Sequence, residues 1–219
     1  MRIAIISPWN PWPIDSGSRQ RADLIINGLC ANHDVFVLYG LQYPTHGIPA
    51  LEYSPPDVSQ FMTFSWPRGE THAHVRQRLS FDIRPRDIQR MQAFIPELDG
   101  PLATFKPDVI LALEADGALI AASQTRSADY PFVVDQWEPS RIVAARFSTR
   151  IRSHVFWRSL MRRARVVTVV TDAERVAGQK IIGTSNVIAV VANEAVRSDG
   201  YVRSPWSRTL LFAGNLDYP

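Results

Sequence analysis

The chain has 219 residues, 46% of them hydrophobic, enough for one large domain or two small ones with a sizeable core. Cys30 is the single cysteine, which excludes an intrachain disulfide and a thiolate-rich metal site, and no run reaches the about 18 apolar residues of a membrane-spanning helix. Net charge is +3; lysine stands only at Lys106 and Lys180, so 24 basic residues minus 2 leaves 22 arginines, whose planar forks suit phosphate and carboxylate. Genomic base composition accounts for such a bias equally well, so the charge permits an anionic ligand or surface without demanding one.

In chain order, "RIAIIS" predicts a buried strand, since its apolar residues sit between turn formers. The run is too short for a signal peptide, and Pro8 interrupts it. A helix follows over 18–31, with Ala22, Ile25, Ile26 and Leu29 spaced along one face. "HDVFVLYG" predicts a second strand over 34–39, and a weak strand falls at 60–64 within the proline-rich stretch 44–68. Residues 71–101 read as mostly helical, broken by Pro85 and Pro96. Alternation then becomes regular: strand 108–113, helix 115–123, a strand ending near Asp135, and an arginine-rich helical stretch over 140–163. A strand and a helix from about Asp172 come next, then a strand ending near Ala192, a polar linker, and a last strand beginning in "RTLLFAGNLDYP".

Apolar strands alternating with helices predict an α/β fold, a Rossmann-like, doubly wound, mostly parallel sheet covered on both faces. Right-handed crossovers put the carboxyl ends of such strands on one edge, where ligands bind. The candidate loops are therefore 9–17, 114–117, 135–138, 171–174 and 193–194.

Each candidate has a plainer structural reading beside it. Loop 9–17 lacks the G-x-G-x-x-G fingerprint, but its one glycine, Gly17, lets a phosphate approach the N–H groups at a helix start. Equally, Asp15, Ser16 or Ser18 caps that helix while Gly17 permits the turn. Asp135 and Glu138 can grip a hydroxyl or act as a base, or they form a capping box ahead of a helix. Thr171 and Glu174 have the stronger capping spacing and read as structural. Between Arg141 and Arg165 lie eight arginines, with Arg146, Arg150, Arg158 and Arg162 in one stripe and Val143, Phe147, Ile151 and Val155 in another. That pattern fits a solvated face with its apolar side on the sheet, or a peripheral contact with anionic lipid. His72 and His74 have no ligand-spaced partner, so no metal is expected, and no nucleic-acid-binding signature is present.

Taken in order, these segments resemble the N-terminal half of a GT-B glycosyltransferase of the family 4 type, as found among exopolysaccharide-associated sugar transferases. "RIAIISPWNPWPIDSGSRQRADLIINGLCANHDVFVL" is similar to the family's opening strand, Pro/Gly loop, helix and second strand. "PFVVDQWEPSR" resembles the strand that carries an Asp or His near the acceptor, and "RRARVVTVVTDAE" a strand ending in a hydroxyl residue before a helix. "VIAVVANEAV" is similar to the "VVPNGV" end of the first domain, and "TLLFAGNLDYP" to the start of the second. Residues 44–101 have no clear counterpart. Ala192 and Glu194–Ala195 replace the family's usual Pro and Gly-Val, which puts the hinge in doubt, and the acceptor-side histidine is missing from "DQWE".

The resemblance implies a Rossmann-like domain over 1–200 and, at 201–219, a linker with the first strand of a truncated C-terminal domain. It implies a hexosyltransferase moving a sugar from a nucleotide-diphosphate sugar to a glycan or lipid-linked acceptor; the single cysteine points to a cytoplasmic setting, with the arginine-rich stretch allowing peripheral membrane contact. The outcome is expected to be retaining and metal-independent, with no cofactor besides the donor. Most donor contacts, including paired glutamates, belong to the missing domain, so this chain alone is expected to be inactive. Ser16, Gly17, Ser18 and Arg21 are the implied contacts to the donor diphosphate. Trp9, Trp12, Asp135 and Glu138 are the implied acceptor contacts, with Asp135 and Glu138 as catalytic candidates. The alternative is a non-catalytic Rossmann-like binding module.

Overall fold

The computed structural model describes residues 1–12, 17–40, 60–64, 98–124, 130–140, 154–155, 157–183 and 187–191. Seven strands form one sheet: β1 (Arg2–Ser7), β2 (Asp34–Gly40), β3 (Gln60–Phe64), β4 (Val109–Leu113), β5 (Phe132–Asp135), β6 (Val166–Val169) and β7 (Val187–Val190). Their order is β3-β2-β1-β4-β5-β6-β7, and every neighbouring pair is parallel. The described helices are α1 (Gly17–Cys30), α2 (Asp99–Phe105), α3 (Glu114–Gln124) and α4 (Asp172–Ile182).

The strand period of two sorts side chains onto two apolar layers. Ile3, Ile5, Val35 and Val37 face one layer with Ala22 and Ile26 of α1 and with Trp12. Ala4, Ile6, Phe36 and Leu38 face the other, with Leu119 and Ile120 of α3, Ile181 of α4, and Trp157 and Met161. The doubly wound arrangement expected from alternating elements is therefore present. Full burial of residues such as Ile5 and Leu38 stabilises it by about 2 kcal/mol each.

Local chemistry sets the element ends. The Thr171 hydroxyl accepts from the Glu174 N–H at 3.2 Å and starts α4, and Gly183, at φ 80°, closes it. Glu174 does not turn back to complete a capping box. Its carboxylate reaches Ser140, accepting from the backbone N–H at 2.9 Å and from the hydroxyl, and so joins α4 to the segment after β5. At Gly117 a Cβ would lie 2.8 Å from the Ile6 carbonyl oxygen, so glycine is what lets α3 approach β1.

Two expectations need correction. Pro101 does not end the helical stretch: α2 runs through it to Phe105, because proline is tolerated in a first helical turn, where its missing N–H has no partner to lose. Val155, placed in the apolar stripe, is 68% exposed, while Trp157, Leu160 and Met161 are the buried residues of that segment. Arg158 and Arg162 are exposed, and the Arg162 Nε donates to the Ile182 carbonyl at 3.2 Å. The rest of the two stripes, His72, His74, the boundary at residue 200 and the last strand lie outside the described residues. Among the described residues no helix is long and apolar enough to cross a membrane.

Candidate functional site

The strand order places the topological switch point between β1 and β4, since the chain winds outward from this pair in both directions. Register aligns the carboxyl ends there: Ile6 lies beside Ala112, and Leu113 beside Asp135. Four segments meet at this edge, namely the loop after β1, the start of α1, Glu114 at the β4–α3 junction, and 135–138 after β5.

Loop 7–12 is built by its own side chains. The Ser7 hydroxyl donates to the Trp9 carbonyl, and the Asn10 carboxamide accepts from the Trp12 N–H at 3.0 Å, an Asx turn. The two tryptophans then part. Trp9 is half-buried, and its Nε1–H donates to Glu114 Oε2 at 3.2 Å, across the switch point. Trp12 is 2% exposed, packs edge-on to Tyr39 at 6.0 Å, and donates its Nε1–H to Asp23 at 3.0 Å. Its ring packs in the apolar layer beneath the edge, while that of Trp9 stands at the edge itself.

Gly17 is the first residue of α1. A Cβ there would meet nothing within 4 Å among the described residues, so neither packing nor a left-handed backbone requires glycine. Ser18 hydrogen-bonds the Glu114 carboxylate, while Ser16 lies outside the described residues.

Arg21 and Asp135 are paired with each other. The guanidinium donates from Nε and Nη2 to the two carboxylate oxygens, each at 2.8 Å, with Arg21 8% and Asp135 6% exposed. Arg21 Nη1 donates to the Val191 carbonyl at 3.0 Å, and the Thr168 hydroxyl donates to Asp135 Oδ1 at 2.6 Å. The hydrogen bonds from Asp135 hold the guanidinium's pKa above its ordinary value, against the opposing effect of burial. Separate ligand roles were expected of these residues; the geometry brings them together, with the guanidinium against both carboxylate oxygens and the Thr168 hydroxyl on one of them.

Glu114 is the residue that sequence reasoning placed in a candidate loop without singling it out. Its φ is 58°, as is that of Gln136, so the residues following the adjacent strands β4 and β5 both take the left-handed conformation, unusual for non-glycine residues. Burial pushes the Glu114 carboxyl up, the bonds from Trp9 and Ser18 oppose this, and the charges of Asp116 and Glu138 push it further up. Glu138 is half-buried at the same edge. Among the described residues no three His, Cys, Asp or Glu side chains form a group suited to a metal ion.

Residues 16–194, which include the start of α1, Glu114 and 135–138 but not the loop after β1, match the glycosyl transferase 4-like domain family. The chain belongs to that family. No curated protein matches it in sequence. Among solved structures, this glycosyl transferase 4-like domain is similar to sucrose-phosphate synthase from Thermosynechococcus elongatus, with a TM-score of 0.60 and 12% identity over 88% of this chain and 48% of that one. A lipopolysaccharide outer core galactosyltransferase gives 0.53 and 10% over 89% and 46%. UDP-N-acetylglucosamine 2-epimerase from Rickettsia bellii gives 0.53 and 11% over 87% and 44%. At these identities the likeness is one of fold, and an epimerase shares it with transferases. The chain spans less than half the length of these structures.

Proposed function

We propose that the full-length protein transfers a sugar from a nucleotide-diphosphate sugar to a glycan or lipid-linked acceptor, with retention of configuration and without a metal ion. The bond from the anomeric carbon to the phosphate oxygen breaks, and its electron pair leaves with the diphosphate. The acceptor oxygen bonds to that carbon and its proton is released. In this reading the N–H groups at the start of α1, at Gly17 and Ser18, face the diphosphate, where helix polarity stabilises the charge that develops on the leaving group. Trp9 and Glu138 lie on the acceptor side. The observation that carries the reading is the coincidence of a family match with an unobstructed glycine at the first position of the helix beside the switch point.

The test is to incubate the full-length protein with UDP- and GDP-sugars and candidate acceptors, reading released nucleotide and the anomer formed, with and without a chelator. Gly17→Val is expected to raise the donor KM and leave the fold intact, since the added side chain meets open space. Unchanged kinetics remove the loop from the mechanism. Residues 1–219 alone are expected to bind the donor weakly at most and to turn nothing over. Binding of a nucleotide sugar by the full-length protein without release from any donor supports the non-catalytic module instead.

A further inference from the structure

The Arg21–Asp135 pair is a buried, bidentate contact whose place in the fold is more informative than its strength. Arg21 is the fifth residue of α1, one helical turn beyond Gly17. Its three donor atoms fan out to Asp135 at the end of β5 and to the carbonyl of Val191, just after β7. Asp135 in turn receives the hydroxyl of Thr168 from β6, and that hydroxyl accepts the Gln136 N–H at 3.1 Å. One planar guanidinium thus ties the helix that follows β1 to the exits of three strands on the far side of the switch point. Ser18 and Glu114 make a second tie, to the end of β4.

We propose that Arg21 and Asp135 are positioning residues, whose ion pair fixes the first turn of α1 against the exits of β5, β6 and β7 and thereby sets where a nucleotide-diphosphate donor meets that turn. The proposal rests on the donor reading above. The pair is neutral as a unit, so its effect on an anionic ligand is geometric, not a matter of added positive charge. Fixing a side chain in the second turn of a helix fixes the backbone amides one turn earlier. Lysine cannot replace the fork, because a point charge sets distance but not orientation. Stability does not require charge at this place, since buried ion pairs can often be replaced by apolar residues of similar volume without loss. That makes the two roles separable.

The experiment uses the full-length protein and two variants. R21M/D135L replaces the charged pair with an apolar one, and R21K keeps the charge but loses the fork. Donor KM and kcat are measured beside thermal unfolding. If the pair positions the helix start, R21M/D135L unfolds near the wild-type temperature yet has a donor KM raised by about tenfold to a hundredfold, with kcat moved far less. R21K shows the same split, and it carries the test if the double variant fails to fold. A wild-type donor KM in the folded variants overturns the proposal and reduces the pair to packing. Should the wild type show no affinity for UDP- or GDP-sugars, the donor reading fails on its own. Amide exchange then decides the positioning role: faster exchange confined to 17–20, with α4 unchanged, supports it, and unchanged exchange there overturns it.

Discussion

Glu114 and Asp135 stand at the ends of neighbouring strands and have opposite surroundings. Asp135 has a guanidinium on both oxygens and a hydroxyl besides. Glu114 has an indole N–H and a serine as donors, with Asp116 and Glu138 as like-charged neighbours. The same functional group thus has a cation against both oxygens at one strand end, and burial with like-charged neighbours at the next. At a sheet edge that positions ligands, the first arrangement makes scaffold, and the second makes a group whose charge follows its surroundings.

The sharpest way to break this contrast is to remove each carboxylate in turn. Asp135→Ala leaves the Arg21 guanidinium buried without its counter-ion and is expected to cost about 3–5 kcal/mol in denaturant unfolding. Glu114→Ala strands no cation and is expected to cost clearly less. Equal losses from the two variants would show that the ion pair has no special structural weight. A finer probe is Thr168→Val, which removes a donor to Asp135 and the acceptor that receives the Gln136 N–H, while keeping the side chain's shape. It is expected to cost about 1–3 kcal/mol, because a charged oxygen loses one hydrogen bond and a left-handed residue loses its anchor. A loss within experimental error would mean that Asp135 is held by Arg21 alone.

The strands and their parallel pairing were legible in the sequence because both rest on local patterns. Apolar runs between turn formers marked β1, β4 and β6, and even the short β3 was expected at its observed bounds. The candidate edge was legible too, since handed crossovers dictate which strand ends converge. What was not legible is who pairs with whom across that edge. Arg21 and Asp135 are 114 residues apart, and Trp9 and Glu114 are 105 apart. Spacing rules reach a few residues along a helix or strand, so Asp135 and Glu138 read either as a capping box or as a grip on a ligand hydroxyl, and neither reading named Arg21. Trp9 and Trp12 read as equivalents because a proline-rich loop has no periodicity from which to tell the buried ring from the edge one. The left-handed backbone at Glu114 and Gln136 also escaped notice, since neither is the glycine or asparagine that usually announces it.

The smallest expected effect tests the other side of the contrast, the claim that Glu114 titrates. Its folded pKa lies above the ordinary 4.5, chiefly through burial, so the folded protein holds this proton more tightly than the unfolded chain does. The protonated group's contribution to stability is then fully present below about pH 4.5 and is lost as pH rises through the folded value. Glu114→Gln keeps an acceptor for the Trp9 indole and cannot ionise. Its stability relative to wild type should therefore climb from pH 4 towards neutrality, as followed by denaturant midpoints at successive pH values. Trp9→Phe in the otherwise wild-type protein removes a bond that favours the ionised carboxylate, so it should move the loss to higher pH. A flat difference between Glu114→Gln and wild type would show that burial does not set the charge of Glu114, and the contrast between the two strand ends would fall with it.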